Sequence, residues 1–150
     1  MGDDTVILPG WRTAAGVRAL STTRAAGDMA DPAVQPPGLP APPRWLRQVH
    51  GVAVADLDAL PAGDELPVAD ASFTTRPGVV CVVRTADCLP VLLAAADGSA
   101  VAAVHAGWRG LAAGVIEAAV AAVRARIGAE PVLQAWLGPA ISVAHFEVGG

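Results

Sequence analysis

Lysine is absent from this chain, so all ten of its basic side chains are arginine, a bias that reflects coding composition before function. Cysteine is nearly absent. Cys81 and Cys88 are too few for a disulfide framework, and thiols this sparse serve metal binding or catalysis more often than cross-linking; both are expected reduced. Aromatic residues make up 4% of the sequence and the formal net charge is -4, which leaves neither a stacking platform nor a basic stripe and argues against nucleic acid as the main partner. Apolar runs of the about eighteen positions that a membrane span needs are missing as well, because Gly, Pro, Asp, Arg or His interrupts every stretch. The opening MGDDTVILPGW is acidic and short of apolar length, the reverse of an export signal. A cytoplasmic protein without a membrane partner is expected.

What the sequence has in quantity is apolar side chain. With 53% of 150 residues hydrophobic and 16% charged, it can bury one sizeable core, and a single domain over 1–150 is the expectation. Residues 6–8 and 17–23 read as short strands, and 27–43, with six prolines and no periodicity, as an extended loop. Residues 45–56 place His50-Gly51 between two β-prone runs, so His50 falls at a strand end or tight turn. A polar loop, PAGDELPVADASF, leads into a strand at 71–74, and the β-branched run 78–85 reads as a buried strand. Residues 90–95 and 100–105 form two more strands joined by the Asp97-Gly98 hairpin turn. Apolar spacing through Leu111, Val115, Ala118, Ala119, Ala122 and Val123 predicts one helix over 108–127, ended by Gly128. A strand at 132–137 and a Gly138-Pro139 turn follow. Strands, a long helix and a further strand make a layered α+β domain with a mixed sheet.

Three groups couple a possible metal ligand to turn residues at a strand end: Gln48-Val49-His50-Gly51, Ala86-Asp87-Cys88-Leu89-Pro90 and His105-Ala106-Gly107-Trp108-Arg109-Gly110. Ligands distant in sequence converge when their strands are neighbours. Two histidines and a thiolate would leave the fourth tetrahedral position of a catalytic zinc open. Spacing alone is a weak signal, since no pair is a close ligand couple and an isolated histidine is usually a satisfied buried one.

The words around these residues carry more. RWLRQVHG, RTADCLPVLL, VAAVHAGWRGLAAGVI and AWLGPAISVAHFEVG closely resemble, in order, the signature blocks of the bacterial YfiH-like family, related to mammalian laccase-domain proteins. GVRALSTTRAAG resembles its N-terminal strand. The resemblance covers about 110 to 120 residues, and several blocks matching in order are far more specific than one short motif. It implies the YfiH-like α+β fold, a zinc site of His50, Cys88 and His105, and phosphorolysis of adenosine, inosine and guanosine together with deamination of adenosine. An older name makes the family a copper oxidase, and its bacterial members are implicated in peptidoglycan precursor editing. Zinc is preferred to copper here, since a multicopper site needs many histidines and this chain has His50, His105 and His145.

Within that reading, Cys88, His50 and His105 are the catalytic and metal residues, with Asp87 as proton carrier or partner of a histidine. Arg109 and Arg47, each within four residues of a ligand, are the candidates to hold phosphate, a surface position being the plainer alternative for both. Cys81 is expected to be a small core residue, and Trp108 to anchor the helix rather than wall a base pocket. Gly107 and Gly110 either bind phosphate at the helix start or only permit the turn. His145 is excluded as a ligand.

Against the family pattern, a short proline-rich stretch follows Arg24 where relatives carry a longer glycine-rich loop and a helix bearing an arginine, and relatives continue beyond Gly150. Open strand edges, lower stability or self-association are expected from this. Two alternatives to a zinc nucleoside enzyme therefore stand beside it: a metal-binding relative without activity, and a metal-free cysteine hydrolase that uses Cys88 on a peptidoglycan precursor.

Overall fold

Alternation along the central strands decides which way each side chain in the middle of the chain points. The computed structural model describes residues 4–140. Its strands are β1 (Val6–Ile7), β2 (Ser21–Thr22), β3 (Pro43–Arg44), β4 (Val54–Asp56), β5 (Ala71–Thr74), β6 (Val80–Cys81), β7 (Leu89–Ala95), β8 (Val101–Ala106) and β9 (Leu133–Leu137). The main sheet runs β4-β5-β8-β7-β9, with β4 and β5 parallel and every other pair antiparallel. Two small pairs stand apart, β1 with β2 and β3 with β6. This is the α+β architecture expected from the sequence.

One face of the sheet carries Ala71, Phe73, Val91, Leu93, Ala102, Val104 and Ala106, all buried. Against it lie Val115, Ala119 and Val123 of helix α2 (Val115–Ile127), four residues apart on one stripe. Small residues at 102, 106 and 119 let helix and sheet approach closely. The opposite face buries a second cluster of Leu46, Ala55, Leu57 and Ala69. On β8, Val104 and Ala106 therefore face α2 while His105 points the other way.

The helix read as continuous over 108–127 is two helices. Helix α1 (Trp108–Ala113) ends at Gly114, which adopts φ 99° and caps the carbonyls of Gly110 and Leu111 before α2 begins. A left-handed glycine of this kind is a helix stop, and it lets α1 and α2 cover different surfaces. The expected Gly128 cap forms, its N–H donating to Arg124 O at 2.8 Å. The run 78–85 contributes only Val80–Cys81 to a ladder, half-buried rather than buried. Its partner β3 is two residues long and includes Pro43, which has no N–H to donate. The hairpin at Asp97-Gly98 forms as read, with Gly98 at φ 79°. The strands expected at 6–8 and 17–23 shorten to two residues each. The segment after Leu137 is described only to 140, so His145 lies outside the described residues. No helix among the described residues is long and apolar enough to cross a membrane.

The C-terminal end of α2 is tied to the sheet by charge. Asp58 accepts from the Thr74 and Thr75 hydroxyls, both at 2.5 Å, and from Thr75 N–H, while Arg126 pairs with Asp56 at 2.6 Å and Asp58 at 3.1 Å. Burial would raise the Asp58 carboxyl, but the Thr74 and Thr75 hydrogen bonds and the Arg126 guanidinium outweigh it and hold the group below its ordinary value of 3.8. A depressed carboxylate contributes stability that is present above the unfolded value and lost as pH falls through the folded one. The melting temperature should therefore drop as pH is lowered from about 4, and less steeply in Asp58→Asn. Parallel slopes for the two proteins in thermal melts between about pH 5 and 2 would show that this carboxylate contributes nothing.

Candidate metal centre

The register that builds the sheet also gathers the candidate ligands. Extending the β5/β8 pairing one step past Ala71↔Val104 sets Asp70 opposite His105, and His105 N–H donates to Asp70 O at 2.7 Å. Extending β7/β8 one step past Leu89↔Ala106 sets Cys88 opposite Gly107. Both side chains project from the face turned away from α2. His50 reaches them from the turn before β4. The donor atoms of His50, Cys88 and His105 all lie within 4.8 Å of one another, and the two imidazoles meet edge to face with centroids 4.9 Å apart. His105 is buried, Cys88 half-buried and His50 exposed, so the group opens on one side.

Asp70 organises this arrangement from beneath, with 0% of its surface exposed. One carboxylate oxygen accepts from Val49 N–H at 2.9 Å and Gly51 N–H at 3.0 Å; the other accepts from His50 N–H at 3.0 Å and His105 Nδ1 at 2.7 Å. Three successive backbone N–H groups around one anion form a nest, and they hold His50 at φ 60°, the one non-glycine residue with positive φ among those described. Burial would raise the Asp70 carboxyl, but the His105 hydrogen bond and the backbone donors of Val49, Gly51 and His50 bring it below the usual value. An ionised carboxylate can only accept, so Nδ1 of His105 is the donor in this bond and Nε2 is the nitrogen left to face the site. This is the second contact that metal-binding histidines generally make.

Burial raises the Cys88 thiol, and the nearby charges of Asp87 and Asp70 raise it further. Cys81 packs against the second core, as expected of a small core residue, and its thiol is pushed up to about 12, chiefly by burial. Gly107 forms the floor between two ligands. A Cβ at that position would stand 2.8 Å from His50 Nδ1 and 3.2 Å from Cys88 Sγ. Gly110 seats α1 on the ligand turn in the same way, since a Cβ there would stand 3.2 Å from Gly51 O. Neither glycine is merely a turn former.

The donor set fits a tetrahedral metal. Two imidazoles and a thiol whose donor atoms lie within 4.8 Å of one another are the kind of nitrogen and sulfur donors that zinc takes. Of the other residues expected at the site, Asp87 is exposed and makes no hydrogen bond among the described residues; the place beside the histidine belongs to Asp70. Arg109 is exposed and lies over the Trp108 ring at 5.2 Å. Trp108, expected to anchor the helix, is 46% exposed and is not part of the buried core between helix and sheet. Arg47 is exposed, its backbone bonded to Pro67 and Ala69. Asp70 escaped the sequence reading because it sits inside a polar stretch; its one local signal is a charge flanked by Ala69 and Ala71 at the mouth of an apolar strand.

The family described as multi-copper polyphenol oxidoreductase laccase matches residues 33–150. The chain belongs to this family. Among its relatives, a purine nucleoside phosphorylase of Xylella fastidiosa is 56% identical over 119 residues, covering 77% of this chain and 45% of that protein. The purine nucleoside phosphorylase YfiH of Escherichia coli is 42% identical over 168 residues, covering 97% of this chain and 67% of that protein. The chain thus spans less than half the length of the first relative and two thirds of the second. A crystal structure of a Neisseria meningitidis protein superposes with a TM-score of 0.76 at 37% identity, covering 97% of this chain and 66% of that one. YlmD of Geobacillus stearothermophilus superposes at 0.60 with 30% identity, over 69% and 42% of the two chains. The YfiH-like fold that the sequence blocks implied is the fold of this chain.

Proposed function

We propose that this chain is a zinc-dependent enzyme of purine nucleosides, acting by phosphorolysis of adenosine, inosine or guanosine and by deamination of adenosine. The observation that carries the reading is the convergence of His50, Cys88 and His105 over a buried Asp70, in a chain whose relatives are named purine nucleoside phosphorylases. Zinc held by His50, Cys88 and His105 would supply a Lewis acid and an activated water. The chain's residues do the rest. Asp70 holds the Nδ1 proton of His105 and so keeps Nε2 free, and Cys88 gives up its proton to become a ligand. Asp87, exposed beside Cys88, is suited to carry that proton to solvent. Arg109 has no carboxylate partner among the described residues, which suits a guanidinium that holds phosphate; Arg47 is the second candidate.

Zinc is favoured over copper on the donor set. An electron-transfer copper site of two histidines and a cysteine usually adds a weak axial methionine, and here the described methionine, Met29, lines a separate pocket with Trp45 and Leu66. The metal-free hydrolase reading is disfavoured by Cys88, whose thiol is raised where a nucleophilic cysteine is activated by lowering.

Protein purified without added metal is expected to carry about one zinc per chain by elemental analysis, and Cys88→Ala much less. Chromatography of adenosine incubated with the protein should show adenine only when phosphate is present, and inosine with or without it; a chelator should stop both. Full zinc in Cys88→Ala would remove the site, and zinc without nucleoside turnover would leave a metal-binding protein of another function.

A further inference from the structure

Cys88 follows a loop with few hydrogen bonds to hold it: Val83 packs against the second core, and the chain beyond it is exposed as far as Asp87. Between β6 and β7 the chain runs through residues 82–88 outside any ladder, with 84–87 exposed. Among the described residues, hydrogen bonds tie positions 83–87 to another segment at a single place. The side-chain amide of Gln48 donates from Nε2 to Arg84 O at 2.8 Å, and its Oε1 accepts from Arg84 N–H at 2.8 Å. That is the pattern a neighbouring strand would make, supplied by one side chain.

Its location connects two ligands. Gln48 stands two residues before His50, and Arg84 four before Cys88. The Gln48 segment is firmly seated: Leu46 is buried in the second core, Arg47 exchanges backbone bonds with Pro67 and Ala69, and Val49 N–H is held by Asp70. Arg84 is fixed additionally by its guanidinium, 5.6 Å from the centre of the Trp45 ring. We infer that Gln48 is a positioning residue for the metal centre, a clasp that joins the His50 turn to the loop before Cys88 and, together with the β7/β8 register, sets how closely the thiolate meets the two imidazoles.

The side-chain chemistry is specific. Both bonds require a donor and an acceptor on one planar group at this reach, which a primary amide supplies. Glutamate keeps the acceptor for Arg84 N–H but turns a second carboxylate oxygen towards Arg84 O. Alanine removes both bonds and leaves Arg84 to solvent, where its backbone groups are readily hydrated. The effect therefore falls on loop geometry more than on folding.

This inference rests on the proposed metal site, and cobalt(II) separates the two. Cobalt bound through a thiolate gives a near-ultraviolet charge-transfer band, while its visible d–d bands report coordination number; Cys88→Ala supplies the spectrum without the thiolate. The parent should show both sets of bands. Gln48→Ala should bind cobalt about tenfold more weakly, a loss typical of a group behind the ligands, with the charge-transfer band reduced relative to the d–d bands. Gln48→Glu, of the same length and with one bond kept, should fall between them and covers the case in which the alanine variant fails to fold. A parent without the thiolate band would overturn the metal site itself. A parent with the band, and Gln48→Ala and Gln48→Glu both matching it in affinity and band ratio, would overturn the clasp alone.

Discussion

Asp70→Ala is expected to strip the chain of metal and to lower its stability by about 3 to 5 kcal/mol, the usual result of deleting one partner from a buried charge network. The carboxylate serves four donors, the N–H groups of Val49, His50 and Gly51 and Nδ1 of His105. Each buried donor left without a partner costs about 1 to 3 kcal/mol, and water entering the space recovers part of it. His50 also loses the contacts that hold its left-handed backbone. Asp70→Asn separates geometry from charge. Whichever way the amide is turned, its NH2 faces two of the four N–H donors. If it faces His50 N–H and His105, the imidazole must accept through Nδ1, which moves its proton to Nε2 and removes the ligand. If it faces Val49 and Gly51, the nest opens. Asp70→Asn should therefore keep most of the fold yet bind zinc about 10- to 100-fold more weakly by chelator competition. Zinc affinity in Asp70→Asn equal to the parent's would show that the carboxylate is not the partner that matters.

The sequence blocks singled out His50, Cys88 and His105, which the fold brings together, because each lies near residues with a strong local signature. Gly51 follows His50 in a turn, Pro90 follows Cys88 into a strand, and Gly107 ends the strand of His105. The strands at 71–74, 90–95 and 100–105 were legible for a different reason: their apolar residues have few other places to go in so short a loop pattern, and the Asp97-Gly98 turn fixes the hairpin. What stayed hidden depends on register. That Asp70 faces His105, and that Gly107 faces Cys88, follows from counting one step past the last ladder pair on either side of β8, and no local pattern states which residues those steps will pair. Asp87 drew the role of Asp70 because it is adjacent in sequence to a ligand, whereas the fold makes 70 and 105 adjacent in space.

The break at Gly114 was concealed by the opposite effect. Leu111 and Val115 keep helical spacing across it, so the apolar pattern continues while the axis does not. Only the positive φ of Gly114 separates a helix seated on the ligand turn from one seated on the sheet. The close approach of α1 to Gly51, which leaves little room for a Cβ at Gly110, then places this helix on the His50 turn. A helix that continued straight over the sheet could not also close down on the His50 turn.

Gly107→Val tests whether that closeness sets the metal centre. At φ -67° and ψ 165° the backbone of Gly107 is in a region open to any residue, so the substitution strains no dihedral and needs no left-handed conformation. The obstacle is space. A Cβ alone would lie 2.8 Å from His50 Nδ1 and 3.2 Å from Cys88 Sγ, below or at the tight limit of ordinary contact, and a branched side chain adds two methyl groups beside it. The exposed His50 ring is free to swing outward, so the clash is relieved by separating the ligands rather than by unfolding the sheet. Stability is expected to change by about 1 kcal/mol or less, while zinc affinity falls by about 100-fold, the upper end for a residue behind the ligands. Gly107→Ala should lie between this variant and the parent. The measurement pairs a chelator competition with a thermal melt of the metal-free protein. A melt that collapses together with the affinity would make Gly107 a packing residue of the sheet, and an unchanged affinity in Gly107→Val would mean that His50 and Cys88 do not meet over it.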